Sequence, residues 1–274
     1  MGKTRNRKRK RFMLITGLDC GISRTKVVTL NDGEIVRKEI INGLPDTRQF
    51  DFFALSGANS QKLKGESKCE SEIVIPEFEA AAAGLRKITG ESEFLAVILG
   101  TGTPFLRVTE KSFTHIGGTG VGGGTVVGLG KLLTGESDFD KLIKLSEKGN
   151  PAALNLMLGD YLHNETPLLG TDVTACNFGK VSPSADNADK AAAVFSLVLE
   201  TVFVMAALAR RGNEKIVVAG GLSAVKQAEI TAAAVGKMHG ITFIFPKDRE
   251  YCNAIGTAIC AENKLSERGN KDVI

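Results

Sequence analysis

Short apolar runs broken by glycine-bearing turns alternate along this chain with longer stretches of helical spacing. Residues 12–18 and 26–30 read as strands, and Asn31-Asp32-Gly33 as a hairpin turn after the second of them. The segment 19–26 is the turn between the two runs. Residues 50–55 form another apolar run ending at Ser56-Gly57, and 73–75 a brief one before Pro76. Residues 77–88 carry four alanines with Leu85 and Ile88, follow a proline, open on acids and stop at Thr89-Gly90, which predicts a helix. The same plan then returns: strand 95–99, turn 100–103, strand 105–108. Recurrence after about 80 residues predicts two related halves. A glycine-rich loop is expected over 117–130, helices over 138–147 and 151–158, a polar loop over 174–180 and a long helix over 189–211. Strand 215–219 ends at Gly220-Gly221 and leads to helix 224–237, strand 241–245 and helix 254–262. Strands alternating with helices in this way predict an α/β fold.

Composition changes this picture little. Of 274 residues, 43% are hydrophobic and 24% charged, which excludes a collagen, a disulfide miniprotein and a wholly disordered chain. Charge is unevenly placed. The net +4 includes seven positive charges in the first eleven residues, which leaves −3 for the rest. Residues 1–11 are expected to be a disordered basic tail, whose only nucleic-acid contact would be nonspecific. The five cysteines have no CxxC pair, and the apolar run 12–15 is too short for a secretory core before Asp19. Reduced thiols and a cytoplasmic location are expected. His115, His163 and His239 lack zinc spacing. Residues 191–209 are almost wholly apolar, but Glu200 stands at their centre, and a central carboxylate opposes membrane insertion by about 3 kcal/mol. A helix buried in a core or a subunit interface is the better reading, with no membrane partner.

Candidate chemistry gathers at the ends of the expected strands, where α/β folds place ligands. In the first turn, Gly21 lets backbone amides approach a phosphate, Ser23 offers a hydroxyl, Asp19 can orient hydrated Mg²⁺ and Lys26 is a counter-charge. Gly100, Thr101, Gly102 and Thr103 form the matching second turn, and together the two can hold a nucleotide's phosphates. Eight of the fourteen residues over 117–130 are glycine, among them Gly118, Gly120, Gly122, Gly123 and Gly124. So much conformational cost before a helix fits a site of bare amides for anions. No Gly-Lys-Ser/Thr follows, so this is no Walker loop, and no βαβ unit with a downstream acid makes it a dinucleotide fingerprint. Gly220 and Gly221, at a strand end, let a flat ring lie on the backbone. Glu77 and Glu79 open a helix whose N-terminus favours the ionised carboxylate, and a carboxylate there can take a proton from an attacking hydroxyl.

With these motifs together the chain resembles the actin-like, sugar-kinase and heat-shock ATPase superfamily, and within it the type II pantothenate kinases. The resemblance covers about 14–261. Its most specific stretch is IGGTGVGGGTVVGLGKLL at 116–133, supported by PEFEA at 76–80, LGTGT at 99–103, VTACNFG at 173–179 and NAIG at 253–256. It implies a two-domain actin-like (ribonuclease H-like) ATPase fold with an interdomain nucleotide cleft. The tail 1–11 would be followed by an N-terminal subdomain, 12–90, holding the first phosphate loop and the catalytic helix start. A C-terminal subdomain, 91–274, would hold the second phosphate loop, the glycine-rich loop and the adenosine site. The implied reaction is transfer of the ATP γ-phosphate to the terminal hydroxyl of pantothenate, the first step of coenzyme A synthesis. Glu77 would be the general base, and the three loops would hold ATP with Mg²⁺ at Asp19. Thr103, His115 and Asn177 would meet the substrate, and a homodimer would pair through the long helix.

Three positions depart from the family pattern. Ile22 stands where the first turn usually has a second glycine, His115 where an arginine grips the substrate carboxylate, and Pro104 where serine is usual. Arginine grips a carboxylate with two fixed donors, whereas histidine offers one. These departures keep open a different hydroxyl acceptor, such as pantetheine. The first turn also resembles that of dehydratase-activating ATPases, which keeps open an ATP-hydrolysing activator.

Overall fold

The computed structural model describes residues 14–22, 24–50, 52–63, 73–162 and 170–271, with side chains as far as residue 267. The expected tail 1–11, Ser23, Cys69 and His163 lie outside the described residues. The chain forms two compact units. One joins the residues up to Gly84 with those from Asn253 on, and the other is Leu85–Cys252.

The first unit is built on β1 (Leu14–Cys20), β2 (Arg24–Asn31), β3 (Glu34–Asn42), β4 (Phe53–Ser56) and β5 (Ile73–Val74), in the order β3-β2-β1-β4-β5. β1, β2 and β3 are antiparallel neighbours, and β4 and β5 extend the sheet in parallel. Leu18, Cys20, Val27, Phe53, Leu55 and Leu63 make a buried cluster beside it. The helix α1 (Glu77–Thr89) leaves from β5. The C-terminal helix, Cys252–Lys271, groups with this unit rather than with the stretch it follows in sequence. Glycine explains the fit. A Cβ at Gly17 would overlap the Ala254 carbonyl, and one at Gly256 would overlap the Ala80 carbonyl, so only bare backbone lets β1, this helix and α1 meet.

The second unit contains β6 (Phe94–Ile98), β7 (Thr103–Val108), β8 (Phe113–Thr119), α2 (Gly123–Thr134), α3 (Phe139–Ser146), β9 (Leu156–Met157), β10 (Thr174–Cys176), α4 (Asn187–Ala209), β11 (Ile216–Ala219), α5 (Lys226–His239) and β12 (Phe243–Ile244). The C-terminal helix is thus α6. The larger sheet runs β12-β11-β6-β7-β8. Its directions match those of the first unit: β6–β7–β8 antiparallel, then β11 and β12 parallel. The repetition expected from the turns is therefore a duplicated five-stranded topology.

Three readings are corrected. The glycine-rich stretch 117–130 is not one loop: β8 runs through Gly117 to Thr119, and α2 begins at Gly123. Most of its glycines lie in the strand or the helix, and several permit close packing, as where a Cβ at Gly130 would lie 2.6 Å from a Leu142 methyl. The helix expected over 151–158 is a single 3₁₀ turn, Pro151–Ala153, followed by β9. Buried Asn155 there accepts from the Phe178 amide at 3.0 Å, which ties the backbone to the 174–180 segment instead of to a helix. That segment in turn is not all loop, since β10 pairs with β9.

α4 passes the length and apolarity test for a membrane span, with a mean hydropathy of 2.2. Its Val194, Phe195, Val198, Leu199, Val202, Phe203 and Ala206 are nevertheless buried in one core with Leu95, Val97, Ile216 and Val218 of the sheet. Asp186 caps its start by accepting from the Asp189 amide at 2.9 Å. At its middle Glu200 accepts from Thr174 Oγ1 (2.9 Å), Ser196 Oγ (2.8 Å) and Asn177 Nδ2 (3.2 Å). At its end Arg107 of β7 donates to the Ala209 carbonyl (2.9 Å) and to both oxygens of Glu214 (2.9 and 3.2 Å), a pair only 16% and 14% exposed. Arg107→Ala would leave Glu214 with the Arg211 amide (3.1 Å) but no charged partner, so a loss of about 3 kcal/mol is expected. Urea unfolding measures it, and a loss below about 1 kcal/mol would show that the pair does not fasten α4 to the sheet.

Candidate functional site

In the first unit the chemistry starts at the open end of β1. Asp19 pairs in register with Lys26 across the hairpin and with Ser56 on the parallel side. The carboxylate is nearly buried and lies 3.3 Å from Lys26 Nζ. The Gly21 amide turns back to the Asp19 carbonyl at 3.0 Å. Glu77 is the first residue of α1, placed there by Pro76 after the short strand β5. Partial desolvation holds its carboxyl above the ordinary value although the residue keeps an exposed surface. The negative charge of Asp19 adds to that, and Lys26 opposes it. Glu79, the other acid opening α1, faces Lys264 at 3.8 Å. Burial, then Asp19, push the Cys20 thiol up to about 12, which makes it inert.

One part of this turn was not legible in advance. After β4, Gly57 takes φ +87° and lies against the Cys20 carbonyl and the Asp19 carboxylate. Asn59 then donates its amide N–H to the Cys20 carbonyl (2.9 Å) and its Nδ2 to the carbonyls of Gly21 (2.8 Å) and Ile22 (3.4 Å). The signal was present in the shared Gly-x-x-Ser of 57–60 and 220–223, visible only when the halves are aligned.

In the second unit, the turn after β6 and the start of α2 are one structure. Gly123 and Gly124 donate their amides to the Gly100 and Thr101 carbonyls (2.8 and 2.9 Å), so these two amides, expected to be bare, are used internally. A Cβ at Gly122 would stand 2.7 Å from the Thr101 oxygen, and one at Gly118 2.7 Å from the Thr103 oxygen. Gly102 is held nearly as closely against the Thr119 carbonyl, whereas Gly120 faces open space. Thr103 is buried and donates its hydroxyl to the Val121 carbonyl at 2.8 Å. Gly220, at φ +93°, lies on the backbone of Leu99, and Gly221 has open space where a side chain would be. The structure thus brings Gly100, Thr101, Gly102, Thr103, Gly118, Gly122, Gly123, Gly124 and Gly220 together around the end of β6. His115 is exposed on β8, opposite Leu106. Asn177 belongs to the Glu200 network, with its Oδ1 buried and unpartnered.

Comparison with known proteins gives three findings. A family model described as Fumble matches residues 68–239. A type II pantothenate kinase of Oceanobacillus iheyensis is 33% identical over 206 residues, covering 69% of this chain and 76% of that one. Another of Bacillus cereus is 29% identical over 271 residues, covering 91% and 98%. Among solved structures, the ADPNP-bound activator of 2-hydroxyisocaproyl-CoA dehydratase from Clostridium difficile has a TM-score of 0.65 at 18% identity, over 94% of this chain and 98% of that one. A ROK family glucokinase from Streptomyces griseus, in complex with glucose and AMPPNP, has a TM-score of 0.55 at 12% identity, over 91% and 99%. At these identities the structural likeness is one of fold alone: a two-sheet, actin-like α/β fold.

Proposed function

This chain belongs to the Fumble family, and on that premise we propose that it transfers the γ-phosphate of ATP to the terminal hydroxyl of pantothenate. The observation that carries the reading is Glu77 at a helix N-terminus with Asp19 and Lys26 acting on its carboxyl. The acceptor hydroxyl oxygen attacks the γ-phosphorus, its proton passes to the Glu77 carboxylate, and the bond to the β–γ bridging oxygen breaks to release ADP. Phosphoryl transfer asks mainly for positioning and charge neutralisation, so a carboxylate suffices as base. Lys26 offers positive charge at the first turn. The turns at Gly21 and at Gly100–Thr103, with Gly118, Gly120 and Gly122, are assigned to the phosphates, and Gly220-Gly221 to the adenosine. Asn177 and Thr103 are assigned to the acceptor.

Mg²⁺ fits Asp19. The ion is held by one or two carboxylates with water and substrate phosphates rather than by a protein cage. Asp19, near the end of β1, supplies one such carboxylate. When bound, the ion would neutralise phosphate charge. A cytoplasmic homodimer completes the reading. Its contact is assigned to the α4 face of Leu197, Thr201, Val204 and Leu208, which are spaced for one side of a helix and are only partly covered, Leu208 being 74% exposed.

The test is ADP release from Mg-ATP with pantothenate, with pantetheine and with no acceptor. Pantothenate-dependent release supports the proposal. Release with pantetheine alone reassigns the acceptor, and slow release without acceptor from an iron–sulfur-coloured protein favours the activator. His115 decides how the acceptor's carboxylate is met. His115→Arg is expected to lower the KM for pantothenate about three- to tenfold through a permanent two-donor grip. An unchanged KM would remove residue 115 from the carboxylate.

A further inference from the structure

The duplicated sheets carry duplicated turns at the ends of their parallel strands β4 and β11. Gly57 and Gly220 share a positive φ, +87° and +93°, and each packs on a carbonyl at the end of the neighbouring strand, that of Cys20 in β1 or of Leu99 just after β6. Two residues later the Asn59 amide donates to the Cys20 carbonyl at 2.9 Å, and the Leu222 amide to the Leu99 carbonyl at 3.0 Å. The Ser60 and Ser223 amides then donate to the Gly57 and Gly220 carbonyls, both at 3.1 Å. The turns part company in the third side chain. Leu222 is apolar and 2% exposed, whereas Asn59 reaches into the β1–β2 turn and donates Nδ2 to the Gly21 and Ile22 carbonyls.

We infer that Asn59 is a positioning residue for the nucleotide phosphates, acting by holding the Gly21 and Ile22 carbonyl oxygens turned toward itself. A backbone turn beside a phosphate can present either N–H or C=O. Carbonyl oxygens facing phosphate oxygens repel them, and Gly21 has no side chain to set its peptide planes. Asn59 supplies the constraint from outside the turn, through an amide held in place by its own backbone bond to Cys20. The inference rests on the kinase reading, because it concerns how that reading's first phosphate turn is kept in order.

The test uses the full-length chain with Asn59→Leu and Asn59→Asp. The twin turn houses leucine at 222, so leucine suits this backbone, and aspartate keeps the size of asparagine but cannot donate. Both variants are expected to raise the KM for ATP about tenfold or more. The inhibition constant of adenosine, competing with ATP but carrying no phosphate, should stay within twofold, as should the KM for pantothenate and the thermal midpoint within a few degrees. An ATP KM like that of the parent in either folded variant overturns the inference. So does an equal loss for adenosine and ATP, which would mark Asn59 as merely filling space. Failure of the kinase reading itself is separately visible, since the unsubstituted chain would then release no acceptor-dependent ADP.

Discussion

Glu77→Gln is expected to lower kcat about 10²–10⁴-fold while leaving ATP affinity within a few-fold. Glutamine keeps the size and the position at the start of α1 but cannot take the proton of the acceptor hydroxyl. Because burial and Asp19 raise the Glu77 carboxyl while Lys26 holds it down, the acid limb of kcat/KM should lie above the ordinary carboxylate range. Removing the opposing charge with Lys26→Met should move that limb to still higher pH. Stability should change in the opposite sense to activity. A carboxyl raised in the folded state makes the ionised form a cost to folding, and the cost is fully present above the folded value. Glu77→Gln removes it, so the variant should melt higher than the parent at neutral pH. That advantage should vanish as the pH falls below the ordinary glutamate value. An undiminished kcat would end the assignment of Glu77 as base. A stability difference that did not fade with acid would mean that the carboxyl is not raised.

Gly122→Val is expected to weaken ATP binding at least a hundredfold and to cost about 1–3 kcal/mol of stability. Gly122 has φ −179°, an extended conformation open to any residue, so the effect is one of space and not of backbone strain. A Cβ there meets the Thr101 oxygen at 2.7 Å and the Gly100 oxygen at 3.0 Å, both backbone atoms of the second turn. Neither can rotate aside as a side chain would. The turn itself must move, and with it the bonds from Gly123 and Gly124 that join it to α2. Gly128, farther along α2, is the control: it is exposed with open space around its Cα, so Gly128→Ala should gain up to about 1 kcal/mol and leave ATP binding alone. Calorimetric titration with ATP, beside urea unfolding, separates the two effects. Normal ATP affinity in Gly122→Val would detach the glycine-rich segment from the nucleotide.

Much of this was written in local patterns. The parallel-strand ends, the helix opened by Pro76 and Glu77 and the recurrence of strand, turn and strand each rest on contacts within a few residues, and the duplicated sheets follow from them. No apolar run announces the edge strand β3, because its residues are mostly exposed or half-covered. Glycine composition over 117–124 cannot tell flexibility from close packing, because the Thr103 carbonyl that demands Gly118 and the Thr101 carbonyl that demands Gly122 and Gly124 are distant in sequence. Asn59 stayed hidden for a similar reason, since its partners Gly21 and Ile22 lie nearly forty residues earlier. Glu200 was legible as a carboxylate that must be satisfied, but its donors Thr174 and Asn177 were not.

The glycine-to-backbone contacts of Gly17 and Gly256 impose an order on the making of the protein. β1 is among the first described elements to be synthesised, yet the helix that seals it begins only at Cys252. Leu85–Cys252 is continuous in sequence and can complete its contacts as it emerges from the ribosome. The first unit must wait, its sheet laid down but unsealed, until the second unit has been translated. Shortening the chain within α6 would therefore leave exposed a strand made more than two hundred residues earlier rather than the elements next to the cut.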